Sequence, residues 1–311
     1  MTAIASVRRH LTSVNDLDQS DVEELLRHAS LLKRDRPAAG RGLLAGRTAA
    51  VIFEKPSLRT RLSFDVAMYE LGGHSAYLSP AEVGLGRRES VADVARVVSR
   101  YADAVILRTF AHETIEEFAR YSTIPVINGL SDLEHPCQAL SDIFTLAEEK
   151  GPLRRLVLAY VGDGNNVANA LVLCAAKSGL RLRLACPEGY DPDPRYLARA
   201  REEEAQCEIV RDPRRAVEGA DAIYTDVWTS MGQETEYERR RRAFQGYKVN
   251  AELLAFAKPD AVVMHDLPAH RGEEITDEVI DGPQSIVFVQ AENRLHMQKA
   301  ILAMILGSAG A

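Results

Sequence analysis

Cysteine is scarce in this chain: four residues in 311, at Cys137, Cys174, Cys186 and Cys207. They stand far apart without CxxC spacing, which argues against a disulfide framework or a zinc site. Positive charge is in deficit. Lys and Arg number 38 against 45 Asp and Glu, a formal net charge of −7, which argues against nucleic acid as the main partner. Anionic small molecules remain open, because a local cluster of arginines can oppose the overall charge. No apolar stretch is long enough to span a membrane, and the opening MTAIASVRRH has no signal-peptide core. Internal repeats and low-complexity tracts are absent. A cytoplasmic protein is the simplest expectation.

What is present is apolar mass: 46% of the residues are hydrophobic, enough for two cores of ordinary domain size. Apolar runs alternate with helical patterns almost throughout. Candidate strands are 48–54, 75–78, 103–108, 124–127, 156–161, 181–186, 207–210, 221–227, 261–265 and 286–289. Between them lie helical patterns such as Val91, Val94, Ala95 and Val98. That alternation predicts an α/β fold with parallel sheets. A long helix over 136–149 should stop at Gly151 and Pro152, and the domain boundary is placed there. The last segment, AENRLHMQKAILAMIL, reads as a terminal helix.

The stretch Phe53–Arg61, FEKPSLRTR, is the most informative. It follows the apolar run Ala49–Phe53 and leads into LSFDVAMYELGG, a helix stopped by Gly72 and Gly73. A helix start offers unpaired backbone N–H groups and the positive end of the dipole. The hydroxyls of Ser57 and Thr60 and the guanidiniums of Arg59 and Arg61 add to it, which makes an oxyanion or phosphate site.

Other polar clusters fall at predicted strand ends, where ligands bind in open α/β sheets. Arg108 ends ADAVILRT. His135 and Gln138, three apart after IPVI, share a face near a helix start opened by Pro136. VGDGNNVANAL after LVLAYV only superficially suggests a dinucleotide fingerprint: Val167 stands where the third glycine belongs. Asn165 and Asn166 there suit a small zwitterion better than a pyrophosphate. Asp226 ends ADAIY and could accept from an ammonium group. Ser230, Met231 and Gly232 read as a small mobile loop. His265 and Asp266 follow AVVM, and Arg294 lies near the start of the final helix. The run Arg239–Arg242 reads as a solvated helix face beside Glu236 and Glu238.

The motifs SLRTR, HPCQ, DGNN, DVWTSMG, HDLPAHRG and AENRLH, in this order along nearly the whole chain, resemble the ornithine carbamoyltransferases of the aspartate/ornithine carbamoyltransferase family. SxRTR and HPxQ are shared across that family, and DxWxSMG marks ornithine rather than aspartate. The resemblance implies two doubly wound parallel-sheet α/β domains linked by long helices. Carbamoyl phosphate would bind 1–150 and ornithine 151–290, with 291–311 returning as a helix onto the first domain. It implies carbamoyl transfer to the δ-amine of ornithine, giving citrulline and phosphate, in arginine biosynthesis. It also implies a homotrimer with sites at subunit interfaces and the option of further assembly, and neither cofactor nor metal. By motif, Ser57, Leu58, Arg59 and Thr60 would hold the phosphate, the Leu58 position through its backbone. Arg108 would bridge phosphate and carbonyl oxygen, and His135 would polarise the carbonyl. Gln138 and the backbone at Leu267 would take the carbamoyl NH2, with Arg294 adding a contact. Asn166, Asp226, Ser230 and Met231 would hold ornithine. Arg88, or else Arg87, would reach the phosphate of a neighbouring subunit.

The chain departs from that pattern in places. Asp266 stands where most ornithine enzymes of the family carry a cysteine, and is expected to share ammonium binding with Asp226. Leu58 replaces a common threonine. Gly84 cannot supply the glutamine side chain that some relatives carry near that position. The alternatives are a non-catalytic sensor of carbamoyl phosphate or an amino acid, a carbamoyltransferase for another amine, and a nucleotide-dependent oxidoreductase. The missing third glycine argues against the last.

Overall fold

The computed structural model describes residues 10–36 and 38–307, so most of the stretch read for a signal core, residues 1–9, lies outside the described residues. The chain divides into two compact units. Residues up to Phe144 and from Asn293 onward form the first, and Thr145–Glu292 form the second. The chain passes between them within two helices, Pro136–Lys150 and Val287–Leu306. No described helix is long and apolar enough to cross a membrane.

The first unit is built on β1 (Thr48–Phe53), β2 (His74–Leu78), β3 (Ala104–Arg108) and β4 (Val126–Leu130). All pair in parallel, in the order β2-β1-β3-β4. Helices cover the sheet, so β1 is buried from Ala49 to Phe53. This is why it reads as a continuous apolar run rather than an alternating one. The chain steps from β1 to β2 on one side, then returns to place β3 on the other. The switch point therefore lies between the carboxyl ends of β1 and β3. Phe53 pairs with Arg108 there, and the Glu54 N–H donates to the Arg108 carbonyl at 2.7 Å. The returning C-terminal helix is tied in by Lys299, fully buried, whose Nζ donates to Glu70 Oε2 at 2.9 Å.

The second unit repeats the plan with β5 (Val157–Val161), β6 (Arg181–Ala185), β7 (Cys207–Ile209), β8 (Ala222–Thr225) and β9 (Val262–His265). The order is β7-β6-β5-β8-β9, again all parallel. Its switch point lies between β5 and β8. The expected strand at 286–289 does not form. Ile286 donates one backbone hydrogen bond to the Val263 carbonyl at 2.9 Å, and the chain then coils into the helix that starts at Val287. A short apolar run cannot be assigned to strand or helix by periodicity alone, and its β-branched composition misled.

The turn after β5 holds a close contact. The Gly164 N–H donates to the Tyr190 carbonyl at 2.8 Å. A Cβ at Gly164 would lie 2.2 Å from backbone atoms of Asp191 and Pro192. The second glycine of this turn is thus occupied by packing against its own chain. Gly164→Ala should push the 190–192 segment away and destabilise the second unit by about 1–3 kcal/mol. Urea unfolding would read this as a lowered midpoint, whereas an unchanged midpoint would show that the segment yields freely.

Candidate active site

In the first unit the polar groups gather at the β1/β3 switch point. Ser57 caps the helix Leu58–Glu70, its Oγ accepting the Thr60 N–H at 3.2 Å. That leaves the first-turn N–H groups of the helix directed out of its start. Leu58 is 75% exposed, so its side chain fills no part of a core and only its backbone can serve a ligand. Thr60, Arg108, His135, Gln138 and Arg294 are all buried. Arg294 arrives on the C-terminal helix. Its Nη2 donates to Thr60 Oγ1 at 2.6 Å and its Nη1 to Gln138 Oε1 at 2.8 Å. The structure thus joins residues far apart in sequence into one cluster.

His135 precedes the helix Pro136–Lys150, and its carbonyl accepts the N–H groups of Gln138 and Ala139, each at 3.1 Å. The approach to it is pinned: Glu134 N–H donates to Ser131 Oγ at 3.1 Å, and Glu134 Oε2 accepts the Val14 N–H at 3.0 Å. Burial holds the His135 imidazole well below its usual pKa, helped by the charges of Arg294, Arg108 and Arg59. The ring is therefore neutral at pH 7, with one N–H to donate.

The second unit places its groups at the β5/β8 switch point. Asn165 caps the helix Asn166–Ser178, Oδ1 accepting the Val167 and Ala168 N–H groups at 3.0 and 3.2 Å. Its Nδ2 donates to Asp226 Oδ2 at 2.6 Å, while Asp226 Oδ1 accepts the Val227 N–H at 2.7 Å. Asp226 is thereby fixed with lone pairs to spare. Asn166 is half-buried at the same helix start. Ser230 N–H donates to Gln233 Oε1 at 3.1 Å, and Met231 is 47% exposed.

Oxygens of Asp226 and Asp266 and a ring nitrogen of His265 all lie within 4.8 Å of one another. His265 is not an open ligand. Its Nδ1 accepts the Leu267 N–H at 2.9 Å. That makes Nε2 the protonated nitrogen, facing Glu274 Oε1 at 3.0 Å. Both nitrogens are thus engaged in shaping the 265–268 loop. Leu267 itself adopts a positive φ of 58°, a conformation uncommon for a non-glycine residue. With no open imidazole nitrogen, the cluster is better suited to an organic cation than to a metal ion.

Two sequence expectations change, those for Arg61 and for the run Arg239–Arg242. Arg61 is exposed and stacks on Tyr77, with 3.8 Å from Cζ to the ring centroid. Arg88 is 66% exposed and its Nη1 donates to the Glu82 carbonyl at 3.0 Å. Gly84 has φ +58°, and a Cβ there would lie 2.7 Å from the Arg88 Cβ, so this loop has no room for a side chain at 84. The run Arg239–Arg242 is not uniformly solvated. Arg240 turns inward, its Nη1 donating to Asp163 Oδ2 at 2.7 Å and to the Trp228 carbonyl at 3.1 Å. It ties the DGNN turn to the loop after β8. Burial lifts the Asp163 carboxyl to about 6 against the pull of Arg240.

Sequence reasoning missed Lys55, buried with its Nζ 4.6 Å from the Phe110 ring centroid. Burial, then the Arg108 charge, lowers its pKa. Its place two residues before Ser57 was the available signal. It read Asn165 and Asn166 together without separating the cap from its neighbour, and took no notice of Asp163.

Two doubly wound α/β units, one carrying a cationic oxyanion centre and the other a carboxylate centre, define an enzyme with two unlike substrate sites. Family models agree: the carbamoyl-P binding domain of aspartate/ornithine carbamoyltransferase matches residues 9–148, and the Asp/Orn binding domain matches 154–305. The chain belongs to the aspartate/ornithine carbamoyltransferase family. It is 56% identical over 300 residues to an ornithine carbamoyltransferase of Archaeoglobus fulgidus, covering 96% of this chain and 98% of that one. It is 49% identical over 304 residues to an anabolic ornithine carbamoyltransferase of Pyrococcus furiosus, covering 96% of each. A solved Pyrococcus furiosus ornithine carbamoyltransferase superimposes with a TM-score of 0.93 at 48% identity, over 99% of both chains.

Arg240→Met should leave Asp163 buried without its guanidinium. Breaking a buried pair from one side costs about 3–5 kcal/mol, so the unfolding midpoint of the second unit should fall sharply in urea. A loss below about 1 kcal/mol would instead place Arg240 among ordinary surface charges.

Proposed function

We propose that this chain transfers the carbamoyl group of carbamoyl phosphate to the δ-amine of L-ornithine, giving L-citrulline and phosphate, in the biosynthetic direction. The observation that carries the reading is the buried cluster of Thr60, Arg108, His135, Gln138 and Arg294 at the β1/β3 switch point. It is supported by relatives of this length named for that reaction.

The first unit holds carbamoyl phosphate. Ser57, Arg59, Thr60 and the backbone at Leu58 and Arg59 bind the phosphate, with Arg108 between phosphate and carbonyl oxygen. A neutral His135 donates its N–H to the carbonyl oxygen, and Gln138, Arg294 and the Leu267 backbone orient the carbamoyl group. The second unit holds ornithine through Asn166, Asp226, Ser230 and Met231. Asp266 joins Asp226 in facing the δ-ammonium. Arg88 serves the phosphate of a neighbouring subunit in a homotrimer, and trimers can assemble further. The reaction belongs in the cytoplasm, where free thiols such as the four here stay reduced.

A free alkyl ammonium has a pKa of roughly 10.4, so the nucleophile arrives protonated and must lose a proton before attack. The nitrogen lone pair then forms the N–C bond, and the carbonyl oxygen gathers negative charge. Arg108, His135 and Thr60 stabilise that oxyanion. Collapse breaks the C–O bond, and its electron pair leaves with phosphate. The nitrogen sheds a second proton, for which the departing phosphate is an acceptor. The electron count closes without a redox partner, so the steps need no electron carrier. Alignment of two bound substrates can itself supply ~7–11 kcal/mol at best.

The test is product identification by mass with ornithine, putrescine, N-acetylornithine and aspartate competing as acceptors. Citrulline alone is expected. Carbamoylation of another amine would point to Asp266 as the altered determinant, and no product from any acceptor would restore the sensor reading.

A further inference from the structure

The amide of Gln138 is held from both ends. Its Nε2 donates to Asp142 Oδ1 at 2.8 Å, and its Oε1 accepts from Arg294 Nη1 at 2.8 Å. Gln138 and Asp142 are one turn apart on the helix Pro136–Lys150, on the same face, and both are fully buried. An ionised carboxylate only accepts and a guanidinium only donates. Arg294 takes the oxygen end of the amide and Asp142 anchors the NH2 end, so the two together hold it in one orientation. The order of the contacts is Asp142, Gln138, Arg294, Thr60, ending at the residue that opens the anion centre.

That orientation has a chemical consequence. A carbonyl oxygen has two lone pairs, and Arg294 uses one. The other can accept a hydrogen from an NH2 group. Turned over, the amide would present its own NH2 and repel the same ligand. A carbamoyl group differs from an acetyl group chiefly in carrying NH2 where acetyl carries CH3. A site that discriminates between them needs an acceptor whose direction is fixed in advance.

We propose that Asp142 is a positioning residue which fixes the Gln138 amide with its oxygen toward the ligand and so makes the site selective for carbamoyl phosphate over acyl phosphates. The inference rests on the carbamoyl phosphate reading of the first unit. Asp142 touches no substrate; it acts through Gln138.

The experiment measures direct binding of carbamoyl phosphate, acetyl phosphate and inorganic phosphate to the full-length protein by calorimetry. Asp142→Ala should lower the preference for carbamoyl over acetyl phosphate by about tenfold or more, the order expected when one buried hydrogen bond loses its geometry. Inorganic phosphate should bind within about twofold of wild type, because its ligands are elsewhere. Asp142→Asn preserves the volume, but its amide can face Gln138 with either end. It should lower the preference by about threefold, and it reads the effect if the alanine variant does not fold. Gln138→Met should lose the preference by itself, and adding Asp142→Ala to it should change nothing more. An unchanged preference in folded Asp142→Asn overturns the proposal. So does an equal loss of all three ligands, which marks a merely structural carboxylate. Absence of citrulline formation by the wild type would refute the functional reading separately, since the preference is measured without turnover.

Discussion

Three guanidiniums, from Arg59, Arg108 and Arg294, press on one buried imidazole, and much of the first unit exists to hold them there. Like charges do not gather in a protein interior unless covalent geometry and packing leave them no alternative. Arg108 is placed by the end of β3, in register with β1. Arg59 is placed by a helix that starts just beyond β1. Arg294 is placed by a helix that comes back to this unit after the chain has built the other one. Its guanidinium is then oriented by Thr60 and Gln138. The consequence is a volume of positive potential that favours a phosphate and adds to the burial that keeps His135 uncharged.

The second unit solves the opposite problem with the same fold. Its switch point carries carboxylates rather than guanidiniums, and Asp226 is oriented by an amide and a backbone N–H. Asn165 both caps a helix and steers Asp226, so one side chain couples secondary structure to ligand geometry. His265 is used in the same way. It is an internal strut between Glu274 and the Leu267 backbone, although its type and position would suit a ligand. Asp163 and Arg240 complete the frame by joining the β5 turn to the loop after β8.

The strand ends carrying Ser57, Arg108 and Asp226 were legible because a buried parallel strand is a continuous apolar run and a polar residue at its end is conspicuous. His135 and Gln138 were legible from a proline-opened helix start. What escaped depended on side-chain direction. Nothing in a run of four arginines tells that Arg240 alone turns inward; the helical period would have to be phased against a core that the sequence does not locate. Asn165 and Asn166 are adjacent and chemically identical, and only the cap geometry separates their tasks. Asp142 lies four residues after Gln138, a spacing visible in HPCQALSD, but its value depends on Arg294, 156 residues farther from Gln138 along the chain. The 286–289 segment failed for a different reason: strand composition was overruled by the packing of the helix that follows.

The charge state of His135 decides whether the first unit holds a cationic centre around a neutral imidazole. With ring nitrogens labelled with 15N, NMR of the ligand-free protein between pH 7.5 and 5.5 reports that state directly. Burial and the three arginines predict neutral-imidazole shifts down to pH 6 and below. A ring that titrates to imidazolium near pH 6.5 would contradict the cationic centre described here, and with it the role of His135 as a neutral donor to the carbonyl oxygen.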